Sequence, residues 1–230
     1  MLPEPGLYTA RGKRIAKIRG KVGLCFVAAL SFLAGMTDAV GFTATGDFVS
    51  FMSGNTTRLA VSISHGDTQA MLGITALIVA FILGNALGVI VARLVNRRSW
   101  PLLLCVALLL CLAALMPTQL IVLLCAALSM GMINAVVEEV NGLPIGLTYV
   151  TGALSRFGRG LGRWLLGERK PGWRVQLVPW LGMLIGAVVG ALLQNRFGIA
   201  ALAINGLVAA GLGTASLIIP RRWQRTYMPK

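Results

Sequence analysis

Apolar runs of about 20 residues, each long enough to cross a bilayer, alternate with short polar stretches along nearly the whole chain. Six runs are predominantly apolar, at roughly 22–42, 70–92, 100–116, 119–137, 176–194 and 198–219. The run at 100–116 consists almost wholly of Leu, Ala, Val and Cys, and the pattern predicts a lipid-facing helix there. Pro117-Thr118-Gln119 marks a tight turn, and Asn141-Gly142-Leu143-Pro144 breaks the next helix, because proline disfavours helix in the residue before it. The fold class is therefore all-α: a multi-pass transmembrane helical bundle.

Two further segments, roughly 48–63 and 145–163, are apolar but interrupted. The first reads Phe48-Val-Ser-Phe-Met-Ser-Gly-Asn-Thr-Thr-Arg-Leu59, and the second contains Leu147-Thr-Tyr-Val-Thr-Gly-Ala-Leu-Ser-Arg156. Hydroxyls, an amide and a guanidinium at membrane depth need partners, and Gly54 is expected to loosen the helix where they cluster.

The same motifs return in the same order. Gly35-Met36-x-Asp38-Ala39-Val40 matches Gly131-Met132-x-Asn134-Ala135-Val136. Ser53-Gly54-x-x-x-Arg58 matches Thr151-Gly152-x-x-x-Arg156, and Gly84-x-x-x-Gly88 matches Gly186-x-x-x-Gly190. Such spacing is an internal repeat, with halves at about 21–116 and 119–219 inside one membrane domain of residues 21–220. Basic tails at 1–20 and 221–230 flank it.

Charge sets the expected sense of the repeat. The chain has 21 Lys and Arg, and all but Arg58 and Arg196 fall in four clusters: Arg11–Lys21, Arg93–Arg98, Arg156–Arg174 and Arg221–Lys230. Positive clusters at span ends mark the cytoplasmic side and face anionic headgroups. Both termini are then cytoplasmic, the two interrupted segments do not cross fully, and six crossings form a three-plus-three inverted repeat. The alternative is eight crossings and a parallel repeat.

The composition agrees: 57% hydrophobic, 12% charged, with a mean hydropathy of +0.80. Soluble domains carry roughly twice that charged fraction. The net charge of +14 is spread between apolar runs, a distribution that argues against nucleic acid. Cys25, Cys105, Cys111 and Cys125 lie inside apolar runs without metal-ligand spacing, and His65 stands alone. Neither a metal nor another cofactor is expected.

Four of the seven acids, Asp38, Asp47, Glu138 and Glu139, flank the interrupted segments. Arg58 is the expected partner of Asp38, either in a pathway or as a buried pair that fixes packing. The candidate pathway residues are Asp38, Ser53, Gly54, Asn55, Thr56, Arg58, Asn134, Glu138, Thr151, Gly152 and Arg156. No nucleophile elbow, paired-histidine metal motif or phosphate loop is present, so an enzyme is not expected.

Asp38-Ala-Val-Gly41 followed by Phe48-Val-Ser-Phe-Met-Ser-Gly-Asn-Thr56 resembles the signature of the YoaK-like family of bacterial inner-membrane proteins, a domain of unknown function. The resemblance covers the chain from about residue 20 onward. Its second half departs from the family pattern: Ile133-Asn134 stands for Gln-Asn, and Thr151-Gly152-Ala153-Leu154 for Thr-Gly-Thr-Leu. The resemblance implies an integral protein of the bacterial inner membrane and no particular activity. An inverted repeat with a broken polar segment in each half is the layout of a secondary transporter or channel for a small solute. A structural or regulatory membrane protein is the first rival, and a membrane-embedded enzyme the second. A small-molecule solute, the lipid bilayer with its anionic headgroups and a second copy in a homo-oligomer are the partners this reading admits.

Overall fold

A computed structural model describes residues 10–137, 139–140, 143–144, 150–169 and 172–228. Apart from one two-residue antiparallel ladder, β1 (Glu139–Val140) with β2 (Leu143–Pro144), the regular elements among the described residues are helices: α1 (Ala10–Thr45), α2 (Met52–His65), α3 (Thr68–Leu94), α4 (Ser99–Ala113), α5 (Gln119–Ile133), α6 (Val150–Leu165), α7 (Leu177–Phe197), α8 (Ala201–Ser216) and α9 (Arg221–Tyr227). Three apolar helical stretches are long enough to span a membrane: Arg14–Thr45, Thr68–Leu94 and Arg174–Ser216. The last is folded back on itself by the turn Gly198–Ala200 between α7 and α8. The first helix begins at Ala10, well inside the stretch expected to be a tail, so much of the first basic cluster rides on α1.

Glycines set how these helices meet. On α7, a Cβ at Gly182, Gly186 or Gly190 would run into the backbone carbonyls of Ala28, Phe32 and Met36 on α1, and Gly35 is pressed in turn against Met183. On α3, Gly84 and Gly88 lie against the backbone of Leu128 and Met132 on α5, while Gly131 lies against Phe81. Only a residue without a side chain permits backbones this close, and in lipid such packing replaces the hydrophobic drive that water supplies elsewhere. Both sets of contacts advance in step along the two chains, so α1 and α7 run parallel, as do α3 and α5. The opposite holds for α4 and α8: Gly206 meets Ala107 and Cys111, whereas Gly213 meets Trp100 and Leu103.

The helix expected to face lipid, α4, is instead half core. Leu102, Leu103, Val106, Leu110 and Ala113 are buried, and Trp100, Leu104, Leu108 and Leu112 form an exposed stripe. An all-apolar sequence carries no mark of which face meets protein and which meets lipid, because both surroundings are equally apolar.

The helix directions sort the loops into two ends. One end gathers the start of α1, the turn 95–98, the start of α7 and α9. There the Tyr227 hydroxyl donates to the Arg19 carbonyl at 2.7 Å, and Gln224 accepts from the Ser99 amide at 3.0 Å. Burial pushes the Tyr227 phenol up to about 12, so it remains a donor across the physiological range. The other end carries the close of α1, the Gly66–Asp67 turn and the α4–α5 turn. Among the described basic side chains, Arg58 and Arg196 belong to this second end, and the clusters belong to the first.

The glycine crossings give a direct test. Gly186→Ala, against the Phe32 backbone, is expected to lower stability by about 1–3 kcal/mol. Gly211→Ala, which meets nothing within 4 Å, should leave it unchanged or slightly raised. Thermal unfolding of the purified protein in detergent reads the difference.

Candidate functional site

The chain closes α1 at Gly46, in the left-handed region at φ 78°, and turns back alongside the helix it has just left. Residues 46–51 descend to the level of Asp38, and α2 begins there. A non-helical backbone beside membrane-depth helices has to find partners for every amide and carbonyl. Two side chains supply several of them. The Asp38 carboxylate accepts from the Val49 and Ser50 amides, each at 2.8 Å, and from the Ser50 hydroxyl at 2.6 Å. Asn55 is fully buried; its Oδ1 accepts from the Phe48 amide at 3.1 Å, and its Nδ2 donates to the Phe48 carbonyl at 2.6 Å. The ring of Phe48 stacks on Phe42 and meets Phe51 edge-on, closing an apolar cover over the bend.

This geometry corrects two expectations. The interruption lies at Gly46–Phe51, ahead of α2, and Gly54 sits in the first helical turn, where its missing side chain makes room for the Phe51 and Phe48 rings. Asp38 and Arg58 are not partners. Arg58 lies two turns up α2, where its Nη1 donates to the Gly46 carbonyl and its Nε lies 3.1 Å from Asp47 Oδ1, an ion-pair distance without hydrogen-bond alignment. Asp38 is held by the bend itself, whose amides are nearer than any long side chain. Thr56 donates to the Met52 carbonyl at 2.8 Å and is exposed.

In the other half, Asn134 donates to Asn85 Oδ1 at 3.1 Å, and Asn85 donates to the Phe81 carbonyl at 2.9 Å, a polar link across the α3–α5 crossing. Arg156 donates through Nε to buried Gln176 at 2.8 Å. Glu138 lies outside the described residues.

The first turns of the two interrupted-segment helices face a common space. Ser50, Phe51, Met52 and Ser53 from the start of α2, and Val150, Thr151 and Gly152 from the start of α6, line one cavity of about 260 Å³ with Phe81 of α3. Phe81 stands midway along α3, beside the crossing with Gly131. Ser53, Thr151 and Gly152 are thus brought together; Gly54, Asn55, Thr56, Arg58, Asn134 and Arg156 serve packing or their own backbone. A second, wider hollow of about 500 Å³ opens at the end with few cations, lined by Thr43–Asp47, Gln69, Gly73, Gln119, Leu120 and Leu123. Ser50, Phe81, Asn85 and Gln176 were missed as site residues. Ser50 alone carried a signal, as a hydroxyl within the polar motif. The others lie in apolar runs and acquire meaning only through what packs on them.

Long apolar helices joined by glycine crossings, with a bent polar segment let into their side, define a multi-pass helical membrane protein. The chain matches, over residues 26–215, the family described as protein of unknown function (DUF1275), and it belongs to that family. It is 50% identical over 219 residues to the UPF0700 transmembrane protein RA0705 of Rhizobium meliloti (strain 1021), covering 95% of this chain and 96% of that one. No solved structure matches. The resemblance to YoaK-like proteins thus holds at the level of a transmembrane family of unknown function.

Replacing either clamp should loosen the bend. Asp38→Ala and Asn55→Ala each strand buried backbone groups, at about 1–3 kcal/mol per group, and are expected to lower the melting temperature. In double-mutant cycles Asp38→Ala with Ser50→Ala should be strongly non-additive, whereas Asp38→Ala with Arg58→Gln should be additive within about 0.5 kcal/mol. Strong coupling of 38 with 58 would restore the ion pair that the geometry separates.

Proposed function

We propose that this membrane protein is a secondary transporter or channel for a small solute, of the bacterial inner membrane and with both termini cytoplasmic. The observation that carries the reading is the cavity between the first turns of α2 and α6, one from each half of the chain, at the depth where the glycine crossings lie. Interrupted segments from two repeat halves converging on a central site is the arrangement expected of alternating-access carriers. The volume, about 260 Å³, is close to the low end of ordinary small-ligand pockets, about 300 Å³, and suits a solute of metabolite size. Hydroxyls of Ser53 and Thr151 would orient it, and the Phe51 and Phe81 rings would cover its apolar surface.

Six crossings in a three-plus-three inverted repeat belong to the same proposal. Its support is the sense of the helices. With α1 taken as outward, parallel packing makes α7 outward, the tight turns and antiparallel contacts make α8 and α5 inward and α4 outward, and parallel packing with α5 makes α3 inward. Each helix of the first half then opposes its repeat mate, and the end bearing the basic clusters is the cytoplasmic one under the positive-inside rule. An eight-crossing parallel repeat would have α1 and α5 pointing the same way. The rival reading, a structural or regulatory membrane protein, is favoured by a specific observation: Asp38, Asn55 and Arg58, the polar groups with most binding capacity in the first interrupted segment, are all engaged by the bend itself.

Two measurements test this reading. Reporter fusions after Trp100 and after Lys170 should both report a cytoplasmic location, and a periplasmic signal at either would break the six-crossing arrangement. In proteoliposomes screened against a solute panel, a transported solute should also raise the melting temperature, by up to about 2.7 kcal/mol of stabilisation at a hundredfold excess over its Kd. Ser53→Ala with Thr151→Val should abolish that shift and the flux while leaving the ligand-free melting temperature near wild type. A panel that never shifts the wild type, together with a ligand-free loss in the double variant, would favour the packing role.

A further inference from the structure

The sixth helix has two faces of opposite chemistry. Ser155, Arg156, Arg159 and Arg163 fall on one side of it, and Leu154, Phe157, Leu161, Trp164 and Leu165 on the other, the strongest such segregation among the helices. Its first turn lines the cavity that it shares with the start of α2. From there it runs antiparallel to α7, with Arg156 beside Gln176 and Gly160 pressed against the Trp173 ring, and so it leaves the bundle at the basic end. Trp173 packs on Phe157 and Trp164, with the Arg174 guanidinium 5.2 Å above its ring.

Beyond Gly160 the helix keeps the Trp164–Trp173 contact but is otherwise open. Residues 161–169 are exposed without exception, Leu165 at 70% and Leu166 at 83%. An apolar edge that open, backed by arginines, has the form of a helix lying in the plane of a membrane interface. The alternative occupant, a water-soluble partner, would have to cover leucines at the depth where α7 enters the bilayer.

We propose that the second half of α6 binds the anionic phospholipid headgroups of the cytoplasmic leaflet, with Arg159 and Arg163 on the phosphates and Leu161, Trp164 and Leu165 in the acyl boundary. Arg156 is already held by Gln176 and is not part of the contact. Because Thr151 and Gly152 of the same helix line the cavity, the composition of the leaflet then bears on the order of the cavity wall. The lipid contact holds whether or not the cavity carries a solute.

The test uses the full chain in nanodiscs of phosphatidylcholine alone or of phosphatidylcholine mixed with phosphatidylglycerol, read by amide hydrogen exchange. Exchange across Leu161–Leu166 should slow roughly tenfold or more in the anionic discs, as expected for two basic residues near a negative surface. R159Q/R163Q should remove the difference, and R159K/R163K should keep it, since headgroup phosphate is met by charge. Equal exchange in the two lipids, or a difference that survives R159Q/R163Q, would overturn the proposal. So would equal protection in neutral discs by added glycerol phosphate, which would reassign the arginines to a free anion. Both arginines are exposed, so the variants leave the packed bundle untouched.

Discussion

Two parallel helix crossings, where backbone touches backbone, set the frame of this molecule. The α1–α7 and α3–α5 crossings bring main chain to main chain, and each is lined by glycine from both partners. In lipid there is little to gain from covering one apolar side chain with another, so association has to come from close packing and polar links. Each crossing also joins a helix from the first half of the chain to one from the second. The two halves are therefore interlocked, and the positions of α2 and α6, which hang from α3 and α7, follow from that interlock.

The bent segment at 46–51 is the second constraint, and it depends on the first. A backbone that leaves the helical path beside a membrane core needs local donors and acceptors, and Asp38 and Asn55 provide them from the helices on either side of the bend. That use changes the meaning of a buried carboxylate. Asp38 is only 4% exposed, yet it meets two amides and a hydroxyl at short distance and no long cationic side chain. Its role is architectural: it sets where α2 begins, and hence where Ser50 and Ser53 stand in the cavity wall.

The two interrupted segments do not use their equivalent residues alike. Asp38 holds a bend, while Asn134 at the matching position bonds Asn85 across a helix crossing. Arg58 turns back to Gly46 and Asp47, while Arg156 reaches Gln176 at the start of α7. The shared framework thus carries two differently wired arms. The arm that ends among the basic clusters is the more amphipathic, with arginines on one face and leucines and aromatic rings on the other.

Much of this was legible in the chain itself. Apolar runs of spanning length, the clustering of cations and the repeated Gly-Met-x-Asp/Asn-Ala-Val motif follow from hydropathy and spacing, which are local properties. The small-xxx-small rows at Gly84–Gly88 and Gly182–Gly190 announced close helix contact, because nothing but backbone can occupy such a groove. What they could not announce was the partner: α7 for α1, α3 for α5. The same ambiguity led α4 to be read as lipid-facing, since leucine is at home against lipid and against protein alike. The choice of Arg58 for Asp38 failed for a related reason. Complementary charge is visible in a sequence, but the hydrogen-bonding needs of a bent main chain are not, and at Asp38 the nearby amides of Val49 and Ser50 take the place of the distant guanidinium. Only the tertiary arrangement brought Ser53 and Thr151, about a hundred residues apart, to one cavity, because their meeting depends on how two crossings orient six helices.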